Sequence, residues 1–228
     1  MNFAVISDNL LYFMVGSWPN GPIGGAALTV LLSLASALAS AVLGLALGIA
    51  LSQSKGWPGM ALRTVLGFLR AVPVLMLIFW IYFLLPVVFG LDVPGVGAVT
   101  VALALIGGAY LAHAVSAGID SLPRGQSEAA RALGLGRWDA LRLVILPQAL
   151  PRMAPSFFNQ WVALIKDTSL AYVIGVSELS FVATQVSNRV MVYPAEIYLF
   201  VAAVYYILCM IVEVGIGRAA ARYRIRPA

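Results

Sequence analysis

The sequence predicts an all-α integral membrane protein with five transmembrane helices and a helical loop on the cytoplasmic side. Three observations carry this. The 228 residues are 62% hydrophobic and only 10% charged, whereas a soluble domain is roughly 45–50% apolar and about 25% charged. The charges are clustered and leave uncharged stretches of twenty residues or more, enough to cross a hydrocarbon core of about 30 Å. Twelve of the fourteen basic residues fall in alternate segments between those stretches.

Residues 1–23 read as an outer N-terminal segment with a short interfacial helix over residues 3–16. Its start, Met1 to Ile6, has no basic residue, unlike a cleaved signal peptide, so the first span is expected to stay as an anchor. That span runs Gly24–Leu51. Within it Ser36, Ser40, Gly44 and Gly48 recur every fourth residue, a stripe of small side chains that lets another helix approach closely. The second span, Ala71–Leu91, contains the apolar run Val74 to Trp80; the third, Val93–Ile119, has His113 as its only ionisable group. A fourth, Met153–Ser177, is interrupted by Lys166 and Asp167, and the last, Pro194–Gly217, carries Glu213. Residues 218–228 form a basic tail.

Residues 121–152, between the third and fourth spans, are too long for a turn and rich in helix formers. Pro123 suits a first helical turn, Glu128 to Leu133 is strongly helical, and Gly134 and Gly136 stop it. A second helix, Arg137–Ile145, is expected to end before Pro147. The two helices form a cytoplasmic helix-glycine-helix unit.

Lys55, Arg63 and Arg70 lie between spans one and two; Arg124, Arg131, Arg137, Arg142 and Arg152 lie in the third loop; Arg218, Arg222, Arg224 and Arg226 lie in the tail. The opposite segments hold Asp8, Asp92, Glu178 and Glu196 against Arg189 alone. Basic residues in short loops stay cytoplasmic, which puts the N-terminus outside and the C-terminus inside. The net charge of +5 therefore records an orientation and does not imply a nucleic acid partner.

Several chemistries are excluded. There is no Gly-Lys dipeptide, hence no phosphate-binding loop for ATP hydrolysis. One histidine and one cysteine, Cys209, without a carboxylate cluster leave no zinc site, and no Gly-x-Ser-x-Gly elbow supports a membrane enzyme. Cys209 reads as a packing residue. What remains is charge inside the membrane, costly unless it is paired or faces a watery cavity. Lys166 and Asp167 have two readings. In one the doublet is structural, at an interface or paired to another helix. In the other Asp167, Thr168 and Ser169 break the span and cap a half-helix over Leu170–Val176, whose free amides attract a carboxylate.

The run Gln126-Ser-Glu128-Ala129-Ala130-Arg-Ala-Leu-Gly134, followed by Ile145-Leu-Pro147-Gln-Ala149, resembles the EAA loop of membrane subunits of bacterial ABC importers. Arg70-Ala-Val-Pro73, Gly125-Gln126, Pro147-Gln148-Ala149 and Lys166-Asp-Thr-Ser-Leu170 are similar to the polar amino acid branch. Phe79 to Pro86 and the chain length are most like glutamate/aspartate permeases. The resemblance implies the type I ABC transporter permease fold over residues 24–217 and a bacterial inner-membrane location. It also implies the function of a permease subunit importing polar, preferentially acidic, amino acids by alternating access. Its implied partners are an ATPase dimer, a second identical or related permease, an extracytoplasmic binding protein and membrane lipid. No cofactor is expected on this chain, ATP and magnesium belonging to the ATPase. Glu128, Ala129, Ala130 and Gly134 match the ATPase-docking motif.

One departure affects the substrate path. Where the family usually has Tyr-x-x-Glu-x-x-Arg in span three, this chain has Tyr110-Leu-Ala-His113-Ala-Val-Ser116. Acid and base are lost together, as for a mutual ion pair at i and i+3. The residues expected along the substrate path are therefore His113, Ser116, Lys166, Asp167 and Thr168. A self-sufficient secondary transporter or channel is the alternative, and it has no need of the cytoplasmic helical loop.

Overall fold

The computed structural model describes residues 4–222. Among them helices account for nearly all regular structure, with isolated bridges at Gly16–Ile23 and Gly25–Glu178. The short helices α1 (Ala4–Asp8) and α2 (Leu10–Val15) precede α3 (Gly25–Gln53). Then come α4 (Gly56–Ala71), α5 (Val74–Phe79), a π-helical turn (Trp80–Leu84), α6 (Leu85–Phe89) and α7 (Gly95–Asp120). The third loop holds α8 (Arg124–Ala132), α9 (Arg137–Asp139) and a second π-helical turn (Ala140–Ile145). It leads into α10 (Leu146–Asp167), a 3₁₀ stretch (Thr168–Ile174), α11 (Leu179–Val190) and α12 (Pro194–Arg222). Of the expected basic tail, residues 223–228 lie outside the described residues.

The spine is the pair α3 and α7. Ser36, Ser40, Gly44 and Gly48 are all buried, as the fourfold spacing predicts. A Cβ added at Gly44 would lie 2.4 Å from the Cβ of Leu111, and one at Gly48 2.4 Å from the Cβ of Val115. Only hydrogen fits there, so the stripe brings two backbones into contact and gains dispersion energy that lipid cannot offer. Around the spine, Leu77, Ile78, Ile81, Leu103, Ile106 and Leu164 form the central cluster.

By length and composition, α3, α7 and residues Pro194–Gly215 of α12 can each cross a membrane. The pair Gly56–Ala71 and Val74–Phe89 is long and apolar enough when taken together, and is bent by 101°, as in a broken span or a re-entrant loop. The bend falls at Val72-Pro73, where Val72 is extended, as the residue before a proline prefers. Residues 56–70, expected as a loop, are therefore helix: Leu62, Leu66 and Leu69 make an apolar stripe against α7, which counting charges alone does not detect. The expected fourth span also differs. It begins at Leu146 instead of Met153 and spans 22 residues, about 33 Å. Gln148, Arg152, Asn159 and Gln160 make it too polar to face lipid all round.

Pro147 does not end the loop helix. Leu146 N–H bonds to the carbonyl of Leu141, five residues back, and α10 continues through Pro147 in its first turn. The other π turn is built alike: Leu85 N–H bonds to Trp80 O just before Pro86. Proline lacks an amide and its ring crowds the carbonyl four residues back, so each helix accommodates it by widening one turn.

The end of the bundle away from α8 is held by Glu178, expected in a segment between spans and found fully buried. Its carboxylate caps α11 by accepting from the amides of Ser180 and Phe181, both at 2.9 Å, and from the Tyr205 hydroxyl at 2.8 Å. Leu179 N–H donates to Thr29 Oγ1 at 3.1 Å, and Gly25 N–H to Ser177 O at 2.9 Å. One capping residue thereby ties α11 to α12 while its neighbours tie it to α3.

Candidate functional site: a polar cavity between two helices joined by a helical loop

The third loop is helical up to its glycine, as the run from Pro123 to Gly134 predicts. In α8, Glu128 and Ala129 are exposed. Leu133 N–H closes the helix on Ala129 O, and Gly134 follows with φ +82°, the left-handed conformation that favours glycine. Ala130 faces the other way, only 3% exposed, so it packs α8 against its own chain and offers no surface to a partner. In its place the structure exposes Leu133 at 84% and Trp138 at 67%. Two large apolar side chains exposed on a polar loop form a patch of the kind found at protein contacts. Trp138 falls outside the motif spacing, and its signal in the sequence is an aromatic beside Arg137 at the start of the second loop helix.

Midway along α7 a cavity of about 290 Å³ opens between α7 and α10. Tyr110, Leu111 and Ala114 line one wall, and Ser156, Asn159 and Gln160 the other. The second set sits at i, i+3 and i+4, one polar stripe of a helix. Tyr110 lies ten residues from the inner end of α7, about 15 Å along its axis. The Arg70 guanidinium stands over the Tyr110 ring, 4.9 Å from its centroid, and the Tyr110 hydroxyl donates to Arg70 O at 3.4 Å. Arg70, expected among the cytoplasmic loop cations, is thus carried up α4 to the level of the cavity. Stacking on a ring face compensates part of the guanidinium charge and leaves its N–H groups available.

The residues expected along the path take other places. His113 is half-buried, and its Nδ1 lies 3.1 Å from Ala109 O in its own helix. Ser116 Oγ donates to Asp120 Oδ2 at 3.3 Å, toward the inner end. Lys166 is exposed and Asp167 half-buried, at the end of α10 beyond the cavity. Thr168 is fully buried, its hydroxyl donating to Ile165 O at 2.7 Å, while Ser169 Oγ donates to Lys166 O at 2.7 Å. Both hydroxyls thus bond backward into α10, and a 3₁₀ stretch continues that helix. The half-helix over Leu170–Val176 does not form, so no row of free amides awaits an anion there. Of the polar residues in the run Tyr110-Leu-Ala-His113-Ala-Val-Ser116, Tyr110 reaches the cavity, beside Leu111 and Ala114, while His113 and Ser116 do not line it. Arg70 stands in the Arg70-Ala-Val-Pro73 motif without an assigned role, and Ser156, Asn159 and Gln160 lie outside every motif; the signal of these three is polarity inside an otherwise apolar stretch.

A polar cavity walled by two helices, with an exposed helical loop joining them, in a chain of long apolar helices is the architecture of a membrane permease subunit. The chain belongs to the family described as binding-protein-dependent transport system inner membrane component, which it matches over residues 40–225. It is similar to the probable glutamine ABC transporter permease protein GlnM of Bacillus subtilis (strain 168), 34% identical over 217 residues that cover 95% of each chain. It is also similar to the glutamate/aspartate import permease protein GltK of Escherichia coli O157:H7, 35% identical over 149 residues, 62% of this chain and 66% of the relative. A crystal structure of an amino acid ABC transporter with histidines superposes with a TM-score of 0.83 at 26% identity, covering 97% of this chain and 99% of that one. The relatives are permease subunits, and ATP hydrolysis belongs to a separate subunit. Relatives named for glutamine stand beside one named for glutamate and aspartate, so the expected preference for acidic substrates does not follow from relatedness.

Proposed function

We propose that this chain is the membrane subunit of an ATP-driven importer of polar amino acids, that substrate passes through the cavity between α7 and α10, and that the α8 loop docks on an ATPase. The observation that carries this reading is the chain path. The two walls of the cavity are the two helices that the docking loop joins: α7 enters it through Ser121–Pro123, and α10 leaves it through the π-helical turn at Ala140–Ile145. A partner that moves α8 therefore displaces both walls at once. A self-sufficient carrier would have no use for Leu133 and Trp138 on a cytoplasmic loop.

The lining fits an amino acid. Arg70 is a permanent cation with free donors for a carboxylate, and a guanidinium binds carboxylate in a bidentate fork. Tyr110, Ser156, Asn159 and Gln160 supply neutral donors and acceptors for an ammonium and a polar side chain. With one cation near the cavity and no carboxylate lining it, acidic side chains are favoured over amides. An extracytoplasmic binding protein delivers the substrate, a second permease copy or relative completes the membrane unit, and ATP with magnesium binds the ATPase. The chain lies in a bacterial inner membrane with its N-terminus outside.

The test is uptake by the complete transporter in proteoliposomes across the polar amino acids. Arg70→Gln and Asn159→Leu should each lower uptake at least about tenfold, the loss of one charge-assisted or buried hydrogen bond, with the ATPase still bound. Normal uptake constants in both variants would remove the cavity from the path.

A further inference from the structure

We propose that Arg137 is a strut that carries motion of the docking loop into α3, and through α3 into the cavity wall. This rests on the reading that the α8 loop docks an ATPase. Arg137 opens α9, directly after Gly134-Leu135-Gly136. It reaches across to the end of α3: its Nε donates to Gln53 Oε1 at 2.6 Å and its Nη2 to Gln53 O at 2.8 Å. The geometry is specific on both sides. Gln53 is the last residue of α3, and its carbonyl is one of those a helix end leaves unpaired, where a cation also meets the negative end of the helix dipole. The Gln53 amide nitrogen donates to Ser52 Oγ at 3.3 Å, which turns its oxygen toward Arg137. Both acceptors belong to one residue, so the planar fork clamps it.

A strut is needed there because of how the loop hangs. On one side α8 is joined to α7 by Ser121, Leu122 and Pro123, a non-helical link of three residues. On the other it is tied to α10, where Gln148 Nε2 donates to Gln126 Oε1 at 3.1 Å and Arg152 to Ser121 O at 3.4 Å. These ties hold the loop to α7 and α10, and a contact with α3 is what fixes its direction relative to the third helix. Leu45 and Ile49 of α3 pack on the apolar cluster that also holds Leu141 and Ile145, but apolar contact can slide, whereas a two-point hydrogen-bonded clamp fixes direction. What α3 receives it passes on, because Gly44 and Gly48 lock it onto Leu111 and Val115 of α7, and Leu111 lines the cavity. Arg137 is therefore a positioning residue, acting on transport through Gln53 and α3.

The test uses the complete transporter in proteoliposomes with its binding protein. Arg137→Met should co-purify with its ATPase as the parent does, yet lose stimulation of ATP hydrolysis by loaded binding protein. Its uptake kcat should fall about tenfold with KM unchanged, and more ATP should be spent per substrate moved. Arg137→Lys should recover part of the rate, since an ammonium can still reach Gln53 O. Gln53→Ala, which leaves the backbone acceptor, should cost less, and the double variant should be no slower than Arg137→Met, as for two ends of one contact. Normal stimulation and uptake in Arg137→Met would overturn the proposal. So would losses that multiply in the double variant, or an ATPase that no longer co-purifies, which would make Arg137 a docking contact. Failure of the docking reading shows separately, as an ATPase retained after Leu133 and Trp138 are both truncated.

Discussion

Replacing Gly48 by alanine tests the spine of the molecule with one methyl group. The new Cβ would lie 2.4 Å from the Cβ of Val115 and 2.7 Å from the carbonyl oxygen of Ala112, against an ordinary range of 3.4–4 Å. The two helices must part by about 1 Å at that crossing, because a backbone carbonyl cannot swing aside as a side chain can. Overpacking of this kind costs roughly 1–3 kcal/mol, and the upper part of the range applies where backbone is the obstacle. Alanine returns about 1 kcal/mol through its helix propensity, leaving a net loss of about 2 kcal/mol. For a chain of this size that lowers Tm by about 4–8 °C. The assay is thermal unfolding in detergent followed by tryptophan fluorescence, with Gly67→Ala as comparison. Gly67 is also inside a helix but has nothing within 4 Å of an added Cβ, so the same chemistry there should be neutral or stabilising. If Gly48→Ala melts at or above the parent temperature, α3 and α7 are not held by backbone contact, and the path of motion from Gln53 to the cavity loses its rigid link.

Two further outcomes follow from contacts already described. Glu178→Ala strands two amides and the Tyr205 hydroxyl and should destabilise by about 2–4 kcal/mol, while Tyr205→Phe removes one donor and should cost about 1 kcal/mol; thermal unfolding gives the order, and the reverse order would contradict the capping role. Leu133→Ser combined with Trp138→Ala should weaken ATPase retention during gel filtration at least about tenfold, since apolar anchors dominate such contacts.

The sequence reveals the helical spans wherever an apolar stretch is long and uninterrupted. Gly25–Gln53, Gly95–Asp120 and the helix from Pro194 fall where the gaps between charges predict. It is least informative where a charge has a local reason to be there. Arg70 reads as a loop residue because a cation in an apolar setting is costly, and the ring that makes it tolerable lies forty residues away in Tyr110. Glu178 reads as a residue between spans because its three donors come from a helix it starts and from Tyr205, 27 residues on. The docking motif is legible as a pattern, but the direction of each side chain is set by how α8 lies on its own chain, which turns Ala130 inward and leaves Trp138 outside. Thr168 and Ser169 looked like caps, yet a hydroxyl three residues after a carbonyl can bond back to it just as well, and here both do.

The two widened turns ahead of Pro86 and Pro147 act as phase setters. Each α-helical residue advances a side chain by about 100° around the axis, and a π turn spends one residue without that advance being shared by the turns beyond it. Everything after Pro147 is therefore rotated, as a block, relative to the loop helix before it. Ser156, Asn159 and Gln160 meet Tyr110 across the cavity in that rotated phase. A proline nine residues before the nearest of them, at the foot of α10, thus decides which face of the helix lines the cavity.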